Sequence, residues 1–180
     1  MVRMVEKRRD KPKAVIVLAM HGSPPLDFPG NEMAEFMGLH AQLGHISDSA
    51  ASGLRFRYDQ LEAKMRAWPR TGQNDPFYAG SQELAKHLRQ ESGLEVIIGF
   101  NEFCDPTLDE ALERAAAREA GKIVVITPMM TRGGEHSAVD IPGAIRRAQK
   151  KFPTQKIVYA WPFASEDIAR FLSSQVTRFL

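Results

Sequence analysis

The run Ala14-Val-Ile-Val-Leu-Ala-Met20 limits the fold more than any other stretch, because an unbroken apolar segment this short suits a strand covered on both faces. Such a strand belongs inside a parallel sheet, and parallel neighbours require crossover connections. The chain supplies the partners. Leu94–Phe100, Ile123–Thr127 and Lys156–Trp161 are three further apolar runs, and helical spacing follows each of them. The stripes are Leu108, Ala111, Leu112 and Ala115, then Ile141, Ile145, Ala148 and Phe152, then Ile168, Phe171, Leu172, Val176 and Phe179. Alternation at these lengths predicts a three-layer α/β domain with a four-stranded parallel sheet, helices on both faces and right-handed crossovers.

Local signals place the helix ends. Gly93 terminates a helix carrying Leu84, Ala85 and Leu88, Asp105-Pro106 opens the next, and Gly121 closes it. Asp140 with Pro142 reads as another helix start, and Ser165 as the cap of the last helix. Between the first strand and this regular alternation lies a less regular segment. Met33, Phe36, Met37 and His40 keep helical spacing, as do Leu54, Tyr58, Leu61, Met65 and Trp68 after a cap at Ser52, with connections near 44–53 and 70–76. The organisation expected is a basic tail at 1–13 and one domain over 14–180, with a helical insertion at about 26–76.

A chain of 180 residues can bury a core without disulfides or a structural metal. The net charge of +2 argues against nucleic acid as a partner, since a phosphate-tracking protein concentrates a larger basic excess. Cys104 is the lone cysteine, so a reducing cytoplasm is the expected compartment. The basic tail and the apolar run imitate a secretory signal, but the run leads into His21-Gly22-Ser23-Pro-Pro with no small-residue cleavage site. No segment is long enough to span a membrane, so none is expected as a partner.

Three strand exits deliver His21, Glu102 and His136, and parallel adjacent strands would bring them to one edge of the sheet, where open α/β folds bind ligands. Two imidazoles and a carboxylate suit Co, Ni, Fe or Zn and also accept protons near neutral pH. Because the three come from separate loops, the arrangement fits an open, exchangeable site better than a closed structural one.

These residues carry a resemblance. His21-Gly22-Ser23 after a strand, Glu102 before Asp-Pro and a helix, and Gly133-Gly134-Glu135-His136 followed by Asp140-Ile141-Pro142 resemble the CbiX-type sirohydrochlorin chelatases, over Ala14–Gly22 and about Tyr78–Phe152. The resemblance implies a lyase that inserts a divalent metal, usually cobalt, into sirohydrochlorin on the route to cobalamin, with iron or nickel insertion in related members. It implies metal-binding and proton-accepting roles for His21, His136 and Glu102. It also implies a homodimer and a metal that is substrate, with no organic cofactor. The anionic tetrapyrrole would meet Ser23, Arg132, Gly133 and Gly134, with Arg132 and the helix start near Asp140 facing its carboxylates. Activity is then expected to fall as the pH drops through the range in which imidazoles protonate.

The chain departs from the family pattern in two places. Residues from about Leu26 to Pro76 stand where the family passes directly into its first helix, and Thr131-Arg132 makes the second loop more polar. Plainer readings also exist for several residues. Asp140 reads as a helix cap, Glu135 as an orienter or a solvated group, Cys104 as a small buried hydrophobe, and Met129-Met130 as apolar lining. His40, His45 and His87 read as packing or surface residues, and Arg146 and Arg147 as a solvated helix face. A histidine phosphatase would carry arginine where Met20 stands, and a serine hydrolase would need the G-x-S-x-G that this chain lacks. A non-catalytic carrier of metal or tetrapyrrole would use the same residues without turnover.

Overall fold

A computed structural model describes residues 13–43 and 52–180. The basic tail expected at 1–13 lies almost wholly outside them, as do His45 and most of the connection at 44–53. Four strands, β1 (Val15–Met20), β2 (Glu95–Phe100), β3 (Ile123–Ile126) and β4 (Ile157–Tyr159), form one parallel sheet in the order β2-β1-β3-β4. Among the described residues the α-helices are α1 (Gly30–Leu43), α2 (Ser52–Arg66), α3 (Pro76–Ser92), α4 (Leu108–Ala116), α5 (Ile141–Lys151) and α6 (Ser165–Thr177).

Strand alternation divides the core into two layers. Val15, Val17 and Ala19 of β1, with Ile123 and Val125 of β3, pack on Leu108, Ala111 and Leu112 of α4 and on Ile141, Ala144 and Ala148 of α5. Ile16, Leu18 and Met20 point the other way, where Val96, Ile98 and Phe100 join Ala85 of α3. Helices therefore lie on both faces of a four-stranded parallel sheet, as the apolar runs predict. At Gly99 even a Cβ would come within 2.7 Å of the Ala111 methyl, so α4 packs close against β2 because that strand position has no side chain.

A third, smaller core belongs to α1 and α2. Phe28, Phe36, Leu39, Leu61 and Met65 are buried together, with Tyr58, Trp68 and Phe103 packed against them. Phe103 belongs to the loop after β2, so this core touches the main body at the exit of a sheet strand.

Several helix ends differ from the sequence reading. The residue capping α4 is Thr107, which accepts from the Glu110 N–H while Glu110 bonds back to the Thr107 N–H, so Asp105 is displaced from the role by a complete capping box. That helix ends at Ala116 and does not reach Gly121. Asp75, one residue before α3, accepts from the Tyr78 N–H and caps a helix that begins at Pro76. Ser52 lies within α2 and Ser165 within α6, the latter following Ala164 with no side-chain cap. The apolar stripe of α6 also differs in its environment: Phe171, Leu172, Val176 and Phe179 are all more than half exposed.

Candidate metal and tetrapyrrole site

The site is assembled where the first two strands end. Beyond the strands the β1–β2 ladder continues through the Asn101 N–H to Met20 O and the Glu102 N–H to His21 O, both 2.9 Å. Gly22 permits this closeness. It is buried with φ +99°, and a Cβ there would stand 1.9 Å from the Glu102 carbonyl oxygen, so any side chain would force the two loops apart.

The third group arrives on an unusual turn. Residues His136–Asp140 form a single π-helical turn that runs without interruption into α5, closed by the Ile141 N–H to His136 O. Asp140 is thus inside the helical stretch, not at its start, and its side chain caps nothing. Its carboxylate instead lies 2.6 Å from His136 Nδ1. The expectation that Asp140 is a helix cap is overturned by that partner. Tyr159 of β4 donates its hydroxyl to Ser137 O at 3.0 Å, and Trp161 donates Nε1–H to Met129 O, so both halves of the loop are tied to the chain after β3.

His21, Glu102 and His136 come together: one ligand atom from each lies within 4.8 Å of the others. His21 Nε2 and His136 Nε2 are 3.0 Å apart, and His136 Nε2 is 3.9 Å from Glu102 Oε2. The hydrogen bonds on the far side of each ring settle the tautomers. His21 Nδ1 is 2.8 Å from Gly22 O, a carbonyl that can only accept, and His136 Nδ1 faces the Asp140 carboxylate. Both Nδ1 atoms therefore carry a hydrogen, which points the two Nε2 atoms, and in neutral rings their lone pairs, at one another. Neutral rings in that arrangement repel unless a cation or a shared proton stands between them. Two nitrogens about 2.1 Å from a common ion and 3.0 Å apart subtend roughly a right angle, which is the geometry of adjacent ligands on one metal.

Two arginines that the sequence reading passed over hold the loops from the α1–α2 side. Arg66 donates to Asn101 O at 2.9 Å and to Cys104 O at 3.0 Å, on either side of Glu102. Arg70, buried beneath Ser23, donates to Ser23 O, Met65 O and Phe103 O and pairs with the buried Asp75 carboxylate. No local pattern in the chain marks the contacts to Ser23, Asn101, Phe103 and Cys104, because each spans more than thirty residues and ends on a carbonyl that every residue possesses.

The cluster divides two cavities. A cleft of about 570 Å³ has Glu102 and Asp140 on its wall together with Phe36, His40 and Tyr58 from the helix pair and Arg146 and Arg147 from α5. The two α5 arginines, read from sequence as a solvated face, stand on that wall. A second cavity of about 270 Å³ is lined by Met129, Met130, Glu135 and His136. Of the other residues singled out in the sequence, Gly134 lines the smaller cavity, while Arg132 and Gly133 are exposed in the loop and line neither. Ser23 is half-buried beside His21, its hydroxyl 3.4 Å from Pro24 O.

With fold and cluster in place, comparison with known proteins gives a consistent answer. The CbiX family model matches residues 73–178, and the chain belongs to that family. A sirohydrochlorin cobaltochelatase of Methanopyrus kandleri is 36% identical over 62 residues, covering 34% of this chain and 43% of that protein. One from Priestia megaterium is 28% identical over 100 residues, covering 54% of this chain and 32% of that protein. The chain therefore spans less than half the length of these curated relatives. Among solved structures, a CbiX protein of Marinobacter aquaeolei VT8 shares the fold, with a TM-score of 0.50, 16% identity, and coverage of 92% of this chain and 98% of that one. The family match leaves out β1 with His21 and the whole of α1 and α2.

Proposed function

We propose that this chain is a sirohydrochlorin chelatase that inserts a divalent metal, cobalt first and iron or nickel as alternatives, in cobalamin biosynthesis. The observation that carries the reading is the pair of imidazoles whose Nε2 lone pairs converge at 3.0 Å with Glu102 beside them. Insertion removes two pyrrole protons and moves a hydrated ion onto four nitrogens, so it requires replaceable ligands and bases on one side of the ring. His21, His136 and Glu102 supply three such ligands and can take up protons as the ion leaves. Asp140 holds His136 in the ligating tautomer, as carboxylates behind metal-bound imidazoles do. Ser23, Arg132, Gly133 and Gly134 remain the proposed tetrapyrrole contacts of the two loops. The metal is substrate, and no organic cofactor is invoked.

The organisation proposed is one domain over 14–180 with the α1–α2 segment inserted, working as a homodimer. Support for the dimer comes from apolar surface without a cover. Phe171, Leu172 and Val176 of α6 are exposed, and so is Val158 on the sheet face opposite α4 and α5. A Phe171→Glu variant is expected to shift the assembly to monomers in light scattering; an unchanged mass would place the contact elsewhere. Among the described residues no helix is long and apolar enough to cross a membrane; the proposed compartment is the cytoplasm.

The direct test adds metal-stripped protein to sirohydrochlorin with Co, Ni or Fe(II) in turn and follows the absorption change against the uncatalysed rate. Acceleration that disappears in His136→Ala, with the circular dichroism spectrum preserved, is the expected result. Tetrapyrrole or metal binding without acceleration for any metal would make the chain a carrier.

A further inference from the structure

The geometry points to the α1–α2 pair as the wall that seats one face of the macrocycle, with Arg146 across the cleft as the anchor for one of its carboxylates. This inference rests on the proposed reaction and assigns to it residues outside the three-group cluster. The cleft, at about 570 Å³, falls within the usual range for small-molecule sites and has Glu102 on its wall. A planar ligand occupying it would lie against Glu102 of the cluster and the Asp140 carboxylate behind His136.

The wall facing that space is aromatic. Phe36 and Tyr58 stack with ring centroids 4.8 Å apart and planes 19° from parallel, and His40 continues the row with Nδ1 3.3 Å from the Tyr58 hydroxyl. Burial chiefly, helped by Glu62 and Glu102, pushes the Tyr58 hydroxyl up to about 12, so this ring keeps its O–H well above neutral pH. Phe36 is buried behind Tyr58, so the surface offered to a conjugated ring is the half-buried Tyr58 with the exposed His40 beside it.

Charge on the cleft is mostly committed within the protein. Glu62 pairs with Arg66, Asp109 with Arg147, and Asp140 with His136. Among the described residues lining the cleft, Arg146 is the cation with no protein partner, and its guanidinium lies beside that of Arg147 over Gly143. An unpaired guanidinium on a cleft wall is suited to a carboxylate. Aromatic face and cation together select a flat, conjugated polyanion.

Steady-state insertion of Co(II) into sirohydrochlorin tests the assignment, measured beside Co(II) binding by the same proteins. Arg146→Glu and His40→Glu alter exposed side chains, so the fold should survive, as the melting temperature will verify. Expected is a rise in KM for sirohydrochlorin of about tenfold in Arg146→Glu and a smaller rise in His40→Glu. The Kd for Co(II) should not move, and Arg146→Lys should recover most of the loss. If wild-type protein binds sirohydrochlorin without turnover, the same comparison is read from Kd by fluorescence quenching. Unchanged KM or Kd in both charge variants, with an active or binding wild type, would overturn the cleft assignment while leaving the chelatase reading intact. A wild type that neither binds nor metallates sirohydrochlorin would overturn both.

Discussion

The sheet and the α1–α2 pair hold their shares of the site by different physical means. The sheet delivers His21 and Glu102 through apolar layering: β1 is buried along its whole length, and its two faces are filled by different helices. Burial of this kind is strong and non-directional, and it sets where strands lie more firmly than how the loops beyond them bend. The α1–α2 pair has a small core of its own and reaches the site through hydrogen bonds from Arg66 and Arg70 to loop carbonyls. Those bonds are directional and specify loop shape. The scaffold brings the chemistry to one edge, and the added helices lock it.

Removing the lock should have the largest effect. Arg70→Ala deletes the donors to three carbonyls and leaves the Asp75 carboxylate buried without its cation, a change worth about 3–5 kcal/mol. A fall in denaturant midpoint of that size is expected, with weaker Co(II) binding. Full stability in this variant would mean that the helix pair rests on the loops without holding them.

Next in size is Gly22→Ala, which attacks the sheet side. Its methyl would meet the Glu102 carbonyl at 1.9 Å in a backbone conformation that disfavours side chains, at a cost of about 3 kcal/mol. Metal binding and stability should fall together, because the ligand loops are separated by the same clash that strains the fold. Calorimetry and Co(II) titration on one preparation measure both.

Asp140→Asn separates orientation from folding. Its carboxylate is exposed and bonded to His136 alone, so stability should hardly change while Co(II) affinity drops about 10- to 100-fold. Equal affinity would show that the π-helical turn alone fixes the imidazole.

The smallest effect concerns Cys104, at the seam between the two regions. Burial pushes its thiol from the ordinary value of 9.0 up to about 11. The folded chain then binds this proton more tightly than the unfolded one, so stability present below pH 9 is lost as the pH rises toward 11. Alkylation at pH 8 should be slow in the native protein and fast in denaturant. Rapid native modification would reveal a seam that opens easily.

Much of this was legible in the chain. The apolar runs and their spacing specify the parallel sheet, because burial on two faces leaves few other uses for Ala14–Met20. The meeting of His21, Glu102 and His136 follows from strand exits sharing an edge. Legibility ended where contacts depend on space and not on periodicity. Asp140 and Pro142 carry the marks of a helix start, yet the widened turn absorbs them into the helix and turns the carboxylate toward His136. Thr107 took the cap from Asp105 because Glu110 stands three residues on, a capping-box spacing that was present in the sequence and could have been read. The α6 stripe was visible as apolar, but periodicity does not say whether a stripe meets its own core or another surface.

His136 and Asp140 share one turn of helix, so the imidazole and the carboxylate behind it form a single unit, fused to α5 and held through Ser137 O by Tyr159. Any shift of that unit would carry both together. The position of Nε2 would change, but the nitrogen that bears the hydrogen would not. The ring's orientation is therefore set by a neighbour on its own helix, independently of the cavities on either side.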